Sequence, residues 1–198
     1  MATATHALPP APAVQRPRVL MVGTAFATSA VVMVFVGLIG VYLAQRSAVV
    51  STGDTWLPEG TTIPLPQPNI MMAGLLMGCV TVQWAVYAIA RDDRLNTYLA
   101  LGVTLVFGLM TIVTQSYLYT LMGFDIAANP QSVLVYAITG GHLVFLVASM
   151  IFLVLMAIRA LGGQFTSRQH DGISAAALTW HAMVAVFFVI WIAVYITK

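Results

Sequence analysis

The stretch ISAAALTWHAMVAVFFVIWIAVYI, residues 173 to 196, predicts a transmembrane helix, because it runs for 24 residues without a charged side chain. An α-helix rises about 1.5 Å per residue, so roughly 20 apolar residues cross the ~30 Å hydrocarbon core of a bilayer. Four more runs of this kind lie upstream, at about 19–45, 69–90, 97–122 and 133–158. The sequence therefore predicts an all-α membrane protein with five transmembrane helices.

The composition agrees with a membrane protein and narrows its function. Of the 198 residues, 60% are hydrophobic and 7% are charged, whereas about a quarter of the residues of soluble domains are charged. The net charge is +2 without a basic tract, so we expect no nucleic-acid partner. There is no Walker loop, no nucleophile elbow and no Cys/His cluster at metal spacing. We therefore expect no catalytic, cofactor or metal site in this chain.

Arginine and lysine near the span ends predict the orientation. The N-terminal tail, the 91–96 turn and the 159–172 segment carry six of the eight basic residues, against Arg46 and Lys198 on the other side. This predicts a cytoplasmic N-terminus and a C-terminus outside. We expect residues 1–18 to form a disordered cytoplasmic tail and residues 19–198 the transmembrane domain. The Pro-rich connection 47–68 should be an irregular loop, with Trp56 at headgroup depth.

Two histidines, His142 and His181, fall near the middle of the last two predicted spans. Two imidazoles at similar depth on consecutive helices allow bis-histidine ligation of a b-type haem, which would make the chain an electron carrier. The alternative is that each neutral imidazole hydrogen-bonds to a neighbouring helix or to water. By helical spacing His181 shares a face with Ser174, Ala177, Leu178, Ala185 and Phe188, and we expect its ring to point into a packed seam of small residues rather than to lipid.

The remaining polar residues of the spans indicate helix packing. The five predicted spans keep Asp, Glu, Lys and Arg at their ends, which argues against a transporter or a proton channel, since such proteins keep ionisable groups inside the bundle. Gln115, Thr104, Thr111 and Thr114 of the third span are expected to bridge helices. Gly74 and Gly78 form a GxxxG pair that favours close helix approach. From the residues alone, we expect the chain to be an accessory helical bundle that packs against other proteins.

The ordered motifs resemble those of one family, subunit III of the haem–copper cytochrome c oxidases in its short, five-helix bacterial form. The stretch GGQFTSRQHDGISAAALTWHAMVAVFFVIWIAVYI, residues 162–196, is similar to that family's last loop and helix, of the pattern H-x-G-x-E-A-A-A-x-Y-W-H-F-V-D. Upstream, FVGLIGVYLAQR (35–46), TWLPEG (55–60), VQWAVYAIARDDR (82–94) and TGGH (139–142) resemble further family motifs in the same order.

The departures from the family pattern concern acidic residues. Val31, Leu118, Ser174 and Val184 stand where the family usually has a carboxylate. Phe145 replaces the second His of its T-G-F-H-G-L-H motif. A role that requires those acids, such as modulation of proton entry, is therefore in doubt, and a subunit III-like partner of a nitric oxide reductase is a second possibility.

The resemblance implies a non-catalytic accessory subunit of an aerobic terminal oxidase, driven by cytochrome c or by a quinol, in the bacterial plasma membrane. It implies direct contact with oxidase subunit I, with subunit II in the same complex, and haem and copper in those partners. It also implies that the first two helices splay from the other three around a V-shaped cleft that holds phospholipid. Four expected structural residues match positions of the family's motifs: Trp56, His142, Trp180 and His181. Independently of the resemblance, charge and depth lead us to expect phosphate contacts from Arg46 and Arg91, and Gln115 is expected to have a structural role.

Overall fold

The computed structural model describes residues 18–125 and 129–197, so the predicted tail lies almost wholly outside the described residues. The helices follow in the order α1 (Val19–Ser51), α2 (Pro66–Ile89), α3 (Arg94–Met122), α4 (Pro130–Leu161) and α5 (Asp171–Ile190), and α5 continues as a π-helical segment, Trp191–Ile196. All five are long and apolar enough to cross a membrane. The predicted all-α fold with five transmembrane helices is confirmed.

Local sequence signals explain where several helices begin and end. Pro66 and Pro130 open α2 and α4, because proline lacks only an N–H that the first helical turn leaves unpaired. The Asp93 side chain caps α3 by accepting the backbone N–H of Asn96 at 3.1 Å. Gly123 ends α3 with φ at 65°, which glycine adopts without strain.

Helix α1 is longer than predicted and the loop after it is shorter. We expected α1 to end near residue 45, whereas it continues to Ser51. The chain has no proline between Arg18 and Trp56, so nothing in the backbone stops the helix there. Arg46 consequently lies within the last turns of the helix, before its end at Ser51.

Helix α5 forms the centre of the bundle. It packs against α1, α2 and α4, while α3 packs against α2 and α4. Half of the most apolar window of α5 is buried within the protein, against 11% of that window in α1. Helix α1 is therefore peripheral, and most of its surface is free to contact lipid or a partner.

The predicted division into two splayed helices and a three-helix bundle is not confirmed. Helix α2 packs along α3 more extensively than any other described pair of helices, and it also contacts α5. A Cβ at Gly74 would meet the side chain of Met110 in α3, and one at Gly78 would meet Trp180 in α5. The GxxxG pair therefore packs closely on two neighbours, as predicted. Helices α1 and α2 both pack against α5 but make little contact with each other.

Candidate functional site

His142 links three helices in the interior. Its side chain is only 4% exposed, and its Nε2 lies 3.2 Å from the backbone carbonyl oxygen of Met183 in α5. A carbonyl oxygen only accepts, so Nε2 carries the proton. The ring lies between Phe187 of α5, at 5.0 Å between centroids, and Phe35 of α1, at 6.4 Å. His142 thus makes the helix-to-helix hydrogen bond that was one of the two alternatives.

Trp180 fills the space that Gly78 leaves between α5 and α2. The indole is fully buried, and a Cβ built on Gly78 would approach its Cζ2 to 2.6 Å. The indole Nε1 has no hydrogen-bond partner among the described residues. Trp180 therefore contributes by shape, as a large side chain packed against a backbone without a side chain.

His181 lies on an open surface, and the predicted seam of small residues was wrong. The imidazole is half-buried and lines a groove of about 670 Å³ with Cys79, Val80, Gln83, Trp84 and Tyr87 of α2 and with Arg91 in the turn after α2. Leu178 and Phe188, on the same face of α5, are 37% and 48% exposed. Sequence periodicity failed here because lipid-facing and buried positions are equally apolar in a membrane helix.

The two histidines cannot share a haem iron. Met183 and Phe187 touch His142, and at about 100° per residue both lie at least roughly 120° around α5 from His181. Helix α5 therefore separates the two rings, and the Nε2 of His142 is already bonded to a carbonyl oxygen. Within residues 18–125 and 129–197, no cluster of three or more His, Cys, Asp or Glu side chains could hold a metal ion. The geometry thus contradicts the bis-histidine hypothesis.

Gln115 belongs to a buried polar network between α3 and the last helix. The Tyr195 hydroxyl, in the π-helical segment, donates to Gln115 Oε1 at 3.3 Å. Nearby on α3, the Tyr119 hydroxyl donates to Thr139 Oγ1 of α4 at 2.9 Å. The Gln115 amide nitrogen is buried without a partner among the described residues. The expectation that Gln115 bridges helices is confirmed.

The three α3 threonines that were expected to bridge helices, Thr104, Thr111 and Thr114, divide into two groups. Thr104 forms a buried 2.7 Å hydrogen bond with Thr81 of α2, so it does bridge helices. Thr104 also donates to the Ala100 carbonyl oxygen at 2.8 Å, whereas among the described residues Thr111 and Thr114 bond only to carbonyl oxygens of the preceding turn of α3. The prediction was therefore right for Thr104 and wrong for the other two, because a threonine hydroxyl in a helix can always bond its own backbone.

Trp56 lies inside the protein. It is 4% exposed, its indole N–H donates to the Tyr42 hydroxyl of α1 at 3.0 Å, and the two rings meet edge to face at 5.2 Å. Arg46 lines a neighbouring polar pocket of about 520 Å³ with Asp54 and Glu59. Its Nε atom is buried without a hydrogen-bond partner among the described residues.

A contact that the sequence did not suggest joins two loops at the other end of the bundle. Asp92 Oδ1, in the turn between α2 and α3, accepts the backbone N–H of Ser167 in the loop after α4 at 2.7 Å. Hydrogen bonds from the Ser167 side chain and then from its backbone N–H lower the pKa of Asp92. No motif could have predicted this pair, which is 75 residues apart.

The fold and these contacts define a multi-pass helical membrane protein whose buried polar side chains mainly join helices. A family model described as cytochrome c oxidase subunit III matches residues 11–198. The chain belongs to this family.

Several curated relatives, each named cytochrome c oxidase subunit 3, are similar to the chain. The protein of Pelomedusa subrufa is 29% identical over 156 residues, 78% of this chain and 60% of the relative. That of Paracentrotus lividus is 29% identical over 172 residues, 86% of this chain and 66% of the relative. That of Petromyzon marinus is 31% identical over 156 residues, 78% of this chain and 60% of the relative. The chain thus spans about three fifths to two thirds of the length of these relatives.

Proposed function

We propose that this chain is a non-catalytic subunit III of a respiratory haem–copper terminal oxidase, and that it stabilises the catalytic subunit. The observation that carries the proposal is the family match over residues 11–198. Subunit I is the direct partner, subunit II belongs to the same complex, and both the haem and the copper reside in those partners. The chain itself contributes a helical surface against which the catalytic subunit packs.

The distribution of buried and exposed surface supports an accessory role. The buried polar groups Thr104, Gln115 and His142 bond to neighbouring helices, which suits a rigid bundle. Helix α1 buries 11% of its most apolar window, so it offers a long apolar face. Such a face is available for a partner helix or for lipid.

Phospholipid binding is the second part of the proposal. Arg46 lies near the end of α1 and Arg91 follows the end of α2, so the two cations stand at opposite ends of the bundle. Arginine at the ends of spans attracts lipid phosphate groups. We propose that the two arginines contact phosphates, one in each leaflet.

The proposed location is the plasma membrane of a bacterium, with the N-terminus in the cytoplasm and the C-terminus outside. The support is the excess of arginine on one side, six basic residues against two, together with the positive-inside rule. A cysteine introduced at Ser167 and a second at Thr61 would be labelled by an impermeant maleimide from opposite sides of sealed vesicles. Labelling of Ser167→Cys from outside intact cells would contradict the proposed orientation and support the opposite one.

Mild detergent extraction of the tagged chain, followed by mass spectrometry and a visible spectrum, tests the partner. The expected result is a much larger haem-bearing oxidase subunit in the preparation, with no absorption from the chain alone. A nitric oxide reductase as the co-purifying protein would instead support a subunit III-like partner of that enzyme. This possibility stays open because four positions lack the carboxylate that the family usually has there: Val31, Leu118, Ser174 and Val184. Recovery of the chain by itself would count against both.

A further inference from the structure

A buried polar cluster joins α3, α4 and the end of α5. Gln115 lies seven positions before the end of α3 at Met122, which is roughly 10 Å along the helix axis. We propose that this cluster binds one water molecule, which completes the hydrogen bonds of Gln115, Tyr119 and Tyr195. Such a site belongs to the bundle itself and is independent of the complex that the chain joins.

The Gln115 amide has one polar atom without a partner. The side chain is 4% exposed, and its Nε2 atom is buried without a hydrogen bond among the described residues. Its Oε1 atom is already used, since it accepts from the Tyr195 hydroxyl at 3.3 Å. Exchanging the nitrogen and the oxygen of the amide would only leave the oxygen unpaired instead. A buried N–H inside a membrane bundle cannot reach bulk water, so an unpaired one favours a bound acceptor.

Two tyrosine hydroxyls accompany this amide. Tyr119 follows Gln115 by one helical turn on the same face of α3, and its hydroxyl interacts with the Gln115 side chain, although Nε2 itself has no hydrogen bond. The Tyr195 hydroxyl also interacts electrostatically with that of Tyr119. A Cβ built on Gly140 of α4 would meet only the Tyr119 hydroxyl oxygen within 4 Å, at 3.9 Å. Helix α4 therefore leaves room beside this oxygen.

The protons already committed in the cluster decide what the ligand must offer. The Tyr195 hydroxyl donates to Gln115 Oε1. The Tyr119 hydroxyl donates to Thr139 Oγ1 at 2.9 Å, so both tyrosine oxygens have only lone pairs left. The ligand must accept one hydrogen bond from the amide nitrogen and donate one to each tyrosine oxygen. Water does both, whereas dioxygen and lipid esters only accept and an ammonium group only donates. Three hydrogen bonds are also the usual number for a buried water, about three.

A water in this position would fasten the π-helical end of α5. Tyr195 lies in the Trp191–Ile196 segment, and its 3.3 Å bond to Gln115 is longer than a usual O–H···O bond. The water adds a second link between this segment and α3. The bond from Tyr119 to Thr139 extends the connection to α4.

Hydroxyl-radical footprinting by X-ray radiolysis of the intact complex tests the proposal. X-rays split a bound water in place, so side chains that touch it are oxidised even where bulk water does not reach them. Tyr195 and Tyr42 are both 0% exposed, which makes Tyr42 the matched control, because its hydroxyl accepts the indole N–H of Trp56 and lies outside the cluster. We expect Tyr195 to be oxidised several times faster than Tyr42 in the unmodified chain.

Two variants separate a bound water from transient opening of the bundle. Gln115→Leu removes the amide and Tyr119→Phe removes one acceptor, so each should lower the oxidation rate of Tyr195 towards that of Tyr42. Equal oxidation of Tyr195 and Tyr42 in the unmodified chain would overturn the proposal. A Tyr195 rate that is unchanged in both variants would also overturn it, because water would then reach the ring by opening of the bundle. A rise at Tyr42 would reveal a variant that has lost its fold, and the comparison within the unmodified chain then decides.

Discussion

Substitution of Gly78 by alanine tests how α2 is held against the centre of the bundle. A Cβ at this position would come within 2.6 Å of Trp180 Cζ2 and 3.0 Å of its Cε2 and Nε1. The ring is fully buried. Forcing an extra carbon into a packed interior typically costs about 1–3 kcal/mol.

Gly102→Ala is the matched control, because Gly102 lies inside α3 and a Cβ there meets nothing within 4 Å. Both substitutions gain the same intrinsic helix propensity, up to about 1 kcal/mol. The difference between the two variants therefore isolates the contact with Trp180. We expect Gly78→Ala to be less stable than Gly102→Ala by about 1–3 kcal/mol in reversible unfolding by sodium dodecyl sulfate, followed by circular dichroism.

The double variant Gly78→Ala, Trp180→Leu adds a test of coupling. A smaller side chain at position 180 removes the clash, so the alanine should cost less in this background than in the unmodified chain. Equal stability of Gly78→Ala and Gly102→Ala would refute the reasoning. So would a cost of alanine that is the same with tryptophan and with leucine at position 180.

Three further predictions concern polar contacts. Thr104→Val should lower stability by about 0.6 kcal/mol in the same unfolding assay, because it removes the buried bond to Thr81, and a loss near zero would contradict this. His142→Leu should loosen α4 from Met183 of α5, measurable as faster amide exchange in α5, whereas unchanged exchange would show that the bond contributes nothing. The pKa of Asp92 is lowered in the folded protein. The contribution of the Asp92–Ser167 contact to the stability of the folded state is therefore present at neutral pH, and it is lost as the pH falls below the ordinary carboxyl pKa of 3.8. Proteolysis of the loop after α4 should therefore increase at low pH in the unmodified chain, and Asp92→Asn should show the same increase already at neutral pH.

Much of the fold could be predicted from hydrophobic run length alone. A span must be apolar over about 20 residues to cross the bilayer, and this requirement does not depend on tertiary structure. Boundaries were less predictable, as the end of α1 at Ser51 shows. No sequence signal marks a helix that simply continues beyond the membrane.

The direction in which each polar side chain points was the weakest prediction. His142 and His181 looked equivalent in sequence, yet one is buried against Met183 and the other opens onto a groove. In a soluble protein the polar face of a helix reveals its exposed side. Lipid removes that signal, because exposed and buried faces are both apolar.

Long-range partners could not be predicted either. Trp56 bonds to Tyr42, fourteen residues away, and Asp92 bonds to the Ser167 backbone. Each of these residues has several possible partners of suitable chemistry, and only the packing of the helices selects among them. The resemblance to subunit III predicted the family and agreed with the five-helix fold, but it predicted none of these contacts.

The most direct test of the proposed function compares the proposed oxidase complex with and without this chain. Oxygen consumption is followed from the first turnover onward, at equal haem content. If the chain is a stabilising subunit without a catalytic centre, the initial rate should be nearly the same in both preparations, and the rate should decline sooner without the chain. Complete loss of the initial rate in a complex that keeps its haem would contradict the account, because the chain would then take part in the reaction itself.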